Sequence, residues 1–586
     1  MSDPLAAHPV FDARILDGLH LLEADAGTGK TWTIAGLVVR ALVERGLGIE
    51  QVLVVTFTNA ATAELGARIR QRIAQLERLL DDRIEGRASA VDEPFCSAFA
   101  ARLDDAAAHR ARSLLRVALA RADEMAVHTI HGYCQRVIDE HALSIGVPAG
   151  LPVSAESTAP ELERLADWWR AQAREASPAR LLAFRLAGLD PGTLRAAVRA
   201  ITAQPLARVA PAAAEWRDIE RELAEAREAL AAALASEADA LLDWLGTKGN
   251  ADGTRFRVGW ATGWLAALRE FCADPQPAAL PEALARLAVS RFGDRAPPFA
   301  LPLACERFVS IGGSLAQLPA LVAQEIAASA HASRPDALAQ ASVLGFDELL
   351  RVVHDALADP DGGAALAAAL RERHPMALID ECQDTDALQW AIFRRVYVEG
   401  AATGGSAATH AGAATGDGSA SPGLVLVGDP KQAIYAFRGA DVYSYLDARD
   451  AVRRIHRLGE NQRSSRALIG AVNVLFGRER PFLVDEIGFA DAAIGARPRR
   501  ALVVDAEADR AALTVVRLRP DPDIGWLVAA AAQRQAVEAC VGEIGRLLDG
   551  RAQLGERALQ PADIAVLVNT HRQGAGIKRA LAAAGI

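Results

Sequence analysis

Two short runs of this chain carry side chains that make sense together around a polyphosphate. The run Ala24-Asp25-Ala26-Gly27-Thr28-Gly29-Lys30-Thr31 has small residues that let successive backbone N–H groups turn inward. It also has a lysine that can reach the outer phosphate oxygens and a hydroxyl, Thr31, that can ligate Mg2+. A helix starting just after such a loop adds its positive end. Ala24 stands where the general pattern has its first glycine. The run Ala377-Leu378-Ile379-Asp380-Glu381 puts two carboxylates after an apolar stretch, where an α/β sheet presents its ligands. Asp380 there would hold Mg2+, directly or through water, and Glu381 would orient and deprotonate an attacking water. Either run alone has a bland reading, as a glycine-rich turn or a pair of capping acids. Together they imply hydrolysis of a nucleoside triphosphate.

Both runs need a scaffold of strands and helices, and the flanking sequence supplies one. LHLLEADAGTGKT reads as strand, loop and helix start, and QVLVVTFT (51–58) as a buried, β-branched strand. The next stretch places Leu65, Ile69, Ile73, Leu76 and Leu80 on one helical face. Alternation of this kind is the signature of a parallel α/β sheet. Residues 145–345 differ: they are rich in Ala, Leu, Arg and Glu with proline-marked breaks, and read as a helical insertion. The α/β pattern returns with MALIDECQDTDALQ and PGLVLVGDPKQAIYAFRGAD. Between them runs a Gly/Ser/Ala/Thr tract expected to be a flexible surface loop. ADIAVLVNT (562–570) reads as a further strand, followed by a helix.

The six residues Asp380-Glu381-Cys382-Gln383-Asp384-Thr385 match the DExQDT box of the superfamily 1 DNA helicases of the UvrD/RecB type. Cys382 replaces a more usual aromatic there. The resemblance extends to four further runs. Thr56-Phe57-Thr58-Asn59 opens one that touches the single-stranded DNA backbone in the family. His128, Thr129 and His131 lie in a second, whose hydroxyl and imidazole groups suit phosphate and sugar contacts; without its neighbours each histidine would read as an ordinary one. Gly428 to Asp441 matches the run that links ATP to DNA. By that match Gln432 senses the γ-phosphate and Phe437 stacks on a base, with Tyr435 beside it as support. Stacking suits a motor because every base has a π-face. Leu458-Gly459-Glu460-Asn461-Gln462-Arg463-Ser464 matches a run whose arginine, Arg463, contacts the γ-phosphate. Gln383 would couple the nucleotide state to the DNA side.

The resemblance therefore implies an α/β fold: a RecA-like parallel sheet, the P-loop NTPase motor core, with a large helical insertion. The expected layout is 1–144 as the first part of motor domain 1A, 145–340 as the insertion 1B, 341–460 as the second part of 1A with a flexible loop at 400–422, and 461–586 as an incomplete start of a second motor domain, 2A. ATP and Mg2+ are the implied cofactors. DNA, as single strand and duplex end, is the implied partner, with RecC-like and RecD-like subunits. The runs TFTNAATAEL, HTIHGYC and DECQDTDALQW sit closer to the RecB branch than to the UvrD branch.

Bulk properties narrow the class without naming it. At 586 residues the chain needs several cores, and 51% hydrophobic with 24% charged residues fits a folded, soluble protein. A net charge of −10 argues against coating DNA by charge alone, but not against a local groove. No apolar run reaches the roughly 18 residues of a membrane span, and the N-terminus lacks a signal peptide's pattern, so a cytoplasmic protein without membrane contact is expected. The cysteines at 96, 134, 272, 305, 382 and 540 show no zinc spacing and read as reduced, mostly buried thiols.

Some features depart from the family. Residues 1–24 contain no glutamine, which related motors often use to read adenine. Further helicase motifs and a RecB-type nuclease domain have no counterpart here, which reads as a fragment or truncated product unable to unwind a duplex alone. Lys248, Arg255, Phe256, Arg257 and Trp260 could touch duplex DNA, although a solvated loop is the simpler reading. Three functions stay open on the sequence. They are a 3′-to-5′ helicase subunit for double-strand-break repair, a stand-alone UvrD-like repair helicase, and a non-motor ATP-binding interaction subunit.

Overall fold

The computed structural model describes residues 8–154, 160–207, 209–210, 216–339, 343–399, 422–452, 454–497, 500–505, 511–520 and 525–586. The anticipated flexible loop at 400–422 lies almost wholly outside them. The chain forms two compact units. One comprises residues 1–129, 370–385 and 397–586, and the other 130–369 and 386–396.

The first unit is built on a six-stranded sheet. Its strands are β1 (Gly18–Ala24), β2 (Val52–Thr56), β3 (Val127–Thr129), β4 (Met376–Ile379), β5 (Gly423–Gly428) and β6 (Arg454–Leu458), in the order β3-β2-β4-β5-β1-β6. Every neighbouring pair is parallel. Strands β2, β4 and β5 are buried along their whole length. Their uninterrupted apolar runs match that burial, as is usual for parallel sheets. Helix α1 (Lys30–Glu44) follows β1, and α2 (Asn59–Ile84) follows β2. The stripe Leu65, Ile69, Ile73, Leu76 and Leu80 on α2 is at most 2% exposed. Each such side chain contributes about 1.5–3 kcal/mol by leaving water. Ile69→Asp would put an unpaired charge into that seam. The registers Val55↔Ile379, Thr56↔Thr129 and Glu23↔Gly428 align the carboxyl ends of the strands on one edge of the sheet.

Two sequence expectations change in structural terms. The run Asp563–Asn569 forms no strand. A short 3-10 turn, Pro561–Asp563, is followed by residues without strand pairing, and Leu567 is 95% exposed. A β-branched run becomes a strand only when a neighbour completes its ladder, and among the described residues none does. Phe256 is no surface residue: it is 5% exposed and stacks on Phe292 at 4.2 Å between ring centroids. Trp260, by contrast, is half-exposed with the Arg257 guanidinium 4.7 Å from its ring.

The second unit is helical in its described parts. The helix Trp216–Gly246 packs Leu223, Leu230, Leu234 and Leu241 against the long helix Ala300–Ala332, whose Phe308, Leu315, Leu318 and Val322 share the same core. High Ala and Leu content favours such helices, and their apolar stripes hold them together. Among the described residues no helix is long and apolar enough to cross a membrane. All six cysteines are free thiols, four of them buried.

Candidate functional site

The phosphate loop leaves the end of β1. Ala24 still pairs with Leu458 of β6 and keeps ordinary strand backbone, so alanine serves where the general pattern has glycine. The tight part comes later. Gly27 has φ of 76° and Gly29 φ of 96°, a region that L side chains avoid. A Cβ on Gly27 would also stand 2.8 Å from the Arg463 Cβ and 3.1 Å from Asn461 Oδ1. The Thr28 hydroxyl donates to the Asp25 carbonyl at 2.7 Å and closes the loop. Gly29 caps α1 without a side-chain acceptor, which leaves first-turn N–H groups for an anion.

Lys30, the first residue of α1, places its Nζ 2.6 Å from Oε2 of Glu381. Glu381 follows β4 with φ 52° and ψ 45°, a left-handed conformation costing roughly 1–3 kcal/mol for a side chain of its kind. Such strain persists where surrounding contacts over-determine it, and here they do. The Glu381 N–H donates to Asp380 Oδ1 at 3.0 Å, and Gln383 Nε2 donates to Glu381 Oε2 at 2.8 Å. Burial, then the neighbouring Glu381, pushes the Asp380 carboxyl up to about 6, with Lys30 opposing. Asp384 is likewise pushed up to about 6, by burial and by Glu381. A crowded acidic floor of this kind favours a cation.

Gln383 carries the connection onward. Its Oε1 accepts the Asp429 N–H at 2.9 Å. The end of β5 comes so close that a Cβ on Gly428 would lie 2.6 Å from both Cys382 Sγ and Gln383 Oε1. Cys382 is buried and its thiol is held well above its usual range by burial and by Asp380. It packs against Gly428. Asp429 then takes the Gln432 side-chain amide at 2.7 Å on Oδ2 and the Lys431 ammonium at 2.7 Å on Oδ1. Lys431 also reaches Asp25 of the phosphate loop at 2.7 Å.

The 458–464 run closes the loop from its other side. Asn461 Nδ2 donates to the Ala26 carbonyl at 3.0 Å, and Asn461 Oδ1 accepts the N–H groups of Arg463 and Ser464, each at 2.8 Å. The Gln462 N–H donates to the Gly27 carbonyl at 2.8 Å. Arg463 thus starts against Gly27 with an exposed side chain.

A second group of candidate residues spreads along the same sheet edge. Thr56 faces Thr129 across β2 and β3, and His128 faces Val55. The Thr56 hydroxyl is buried and engaged with Thr62 at 2.6 Å, while Thr58 caps α2 by accepting the Ala61 N–H. Both hydroxyls therefore hold the start of α2, and the exposed polar residues there are Thr58 and Asn59. Tyr435 lies 5.9 Å from Phe437, which is 78% exposed, and 5.3 Å from Phe57. His131 belongs to the other unit. It lies edge-on to Phe346 at 6.1 Å, and burial lowers its pKa although Asp347 and Asp386 oppose.

Three residues with clear geometry escaped the sequence reading: Phe57, Lys431 and Asn461. Each lies inside a run already singled out, so position within the run was the available signal. The donor set also fits a hard cation. Thr31 and Asp380 offer oxygen, and among the described residues no group of three or more His, Cys, Asp or Glu forms a cage of its own. Mg2+ commonly uses one or two protein oxygens and completes its shell with phosphates and water.

Residues 12–453 match the UvrD/REP helicase N-terminal domain family. Among curated proteins, the RecBCD enzyme subunit RecB of Escherichia coli strain K12 is 30% identical over 621 aligned positions, covering 97% of this chain and 47% of that protein. The RecB subunit of Haemophilus influenzae is 27% identical, covering 81% of this chain and 41% of its own length. That of Mycobacterium tuberculosis strain CDC 1551 is 28% identical, covering 97% and 39%. The chain thus spans less than half the length of each of these relatives.

Proposed function

The chain belongs to the UvrD/REP helicase family, and on that footing we propose that it forms the ATP-hydrolysing front of a RecB-like DNA helicase subunit that moves 3′ to 5′ and acts in double-strand-break repair. One observation carries the reading. Lys30, Glu381, Gln383, Asp429 and Gln432 form an unbroken chain of polar contacts that begins at the phosphate loop and ends in the run bearing Tyr435 and Phe437. A nucleotide site wired to an exposed aromatic strip is what a translocase requires.

In this reading the loop from Ala24 to Thr31 wraps the phosphates. Lys30 leaves Glu381 for the β- and γ-phosphate oxygens when ATP enters, which frees Glu381 to take a proton from the attacking water. Thr31 and Asp380 would hold Mg2+, which would neutralise charge on the phosphates. Gln432 reads the γ-phosphate, and Arg463 swings from its exposed place beside Gly27 to stabilise the charge that develops. Phe437 stacks on a base, with Tyr435 supporting it from the side and Phe57 extending that surface. Thr58, Asn59, His128 and Thr129 contact the DNA backbone, with Thr56 shaping that surface from beneath, and His131, in the other unit, is a backbone contact in its own right. RecC-like and RecD-like subunits are the proposed partners, in the cytoplasm.

The test compares Lys30→Ala with Glu381→Gln in the protein containing this chain. Lys30→Ala weakens ATP binding and abolishes DNA-stimulated hydrolysis. Glu381→Gln spares binding and abolishes hydrolysis alone. Wild-type turnover in either variant refutes the assignment.

A further inference from the structure

We propose that Lys431 is a positioning residue of the nucleotide site, one that neutralises a carboxylate carried inside the phosphate loop and ties that loop to the Asp429–Gln432 pair. The inference rests on the nucleotide reading above and adds a residue that reading does not use.

The starting point is an oddity of the loop. A loop that receives a polyanion through its backbone N–H groups here contains an acid, Asp25, which is only 9% exposed. A carboxylate so close to a triphosphate repels it, and burial strengthens the repulsion. Two cations face it. Lys431 Nζ is 2.7 Å from Oδ1 with a side chain 18% exposed, whereas Arg457 stands 3.6 Å from Oδ2 with a side chain 45% exposed. The longer, more hydrated contact is the weaker one, so the neutralising role falls chiefly to the lysine. Burial alone would lower the Lys431 pKa, but the bonds to Asp25 and Asp429 outweigh it and hold the ammonium above its ordinary value. It stays charged throughout the neutral range.

The same ammonium bonds Asp429 Oδ1, while Asp429 Oδ2 takes the Gln432 amide and the Asp429 N–H reaches Gln383. The γ-phosphate reader is therefore fixed to the phosphate loop through Lys431 and to Glu381 through Gln383. Removing the lysine has two separable effects. It leaves Asp25 uncompensated next to the incoming phosphates, and it frees Asp429 from the loop. Only the first is cured by removing the Asp25 charge.

The experiment is a fluorescence titration of the full chain with N-methylanthraniloyl-ATP and Mg2+. Lys431→Met is expected to weaken binding about tenfold, the scale of one uncompensated neighbouring charge. Asp25→Asn combined with Lys431→Met is expected to return to within about threefold of wild type, and Lys431→Arg to stay near it. Circular dichroism and thermal melts establish that each variant folds, and a merely structural lysine would show no rescue by Asp25→Asn. Wild-type affinity in Lys431→Met, or a double variant as weak as the single one, overturns the inference while leaving the nucleotide reading standing. No binding by the wild-type chain overturns the nucleotide reading, and this inference with it.

Discussion

Asn461→Ala removes one side chain that braces two loops of the site at once. In the folded chain it donates to the Ala26 carbonyl and accepts from the N–H groups of Arg463 and Ser464. Each such bond contributes about 1 kcal/mol net, and more when the group left behind is buried. Water can replace part of the set because Arg463 is exposed, so the local loss is set at about 2 kcal/mol rather than the full sum, a factor of about 30 in an opening equilibrium. Hydrogen exchange read by mass spectrometry is the assay. The amides of Arg463 and Ser464 should exchange about thirtyfold faster, while those of buried β4 and β5 stay unchanged. Asn461→Asp separates the two halves of the brace. It keeps an acceptor for both amides but turns a carboxylate toward the Ala26 carbonyl. Protection at 463–464 should then survive, while nucleotide affinity falls with the loosened loop. Unchanged exchange at Arg463 and Ser464 in Asn461→Ala would refute the reasoning, because those amides would then owe their protection to something else.

Phe437→Ala should weaken binding to oligo-dT by about 1–3 kcal/mol, the usual range for one lost stacking platform, with basal ATP hydrolysis much less affected. Unchanged fluorescence anisotropy with labelled oligo-dT would make Phe437 a structural residue. Burial lowers the His8 pKa to about 4. Between about pH 6.5 and pH 4 the unfolded chain gains a proton there that the folded chain refuses, so stability is lost as pH falls through that window. His8→Asn, which keeps an acceptor for the Val10 N–H, should lose less stability between pH 7 and pH 5 in urea titrations than the wild-type chain; an equal loss contradicts the assignment.

The strands and the glycine loop between β1 and α1 were legible because their signals are local. Apolar runs such as VLVVT and MALI carry no charge on either face, so the runs themselves announce strands fit for burial on both sides. The glycines at 27 and 29 announce backbone that other residues avoid. The acidic pair after β4 was legible because the end of a strand fixes where its next residues point. The run at 564–569 has the same composition as a strand and forms none, because pairing is a property of two segments. Phe256 looked like a candidate for a solvated loop until Phe292 supplied a ring to stack on.

What the sequence determined by itself was the chemistry on offer: a lysine, a hydroxyl, two carboxylates and an aromatic strip, set on a parallel α/β sheet. What only the tertiary structure decided was who holds whom. Lys30 meets Glu381 across 351 positions, and Asn461 meets Ala26 across 435. The left-handed turn at Glu381, the burial of Asp25 against Lys431 and the Phe57–Tyr435–Phe437 row likewise arise only where separate strands end side by side. The physical reason is range. Propensity and periodicity act over a few residues, whereas a charge or a ring acts on whatever the fold brings within a few ångströms of it.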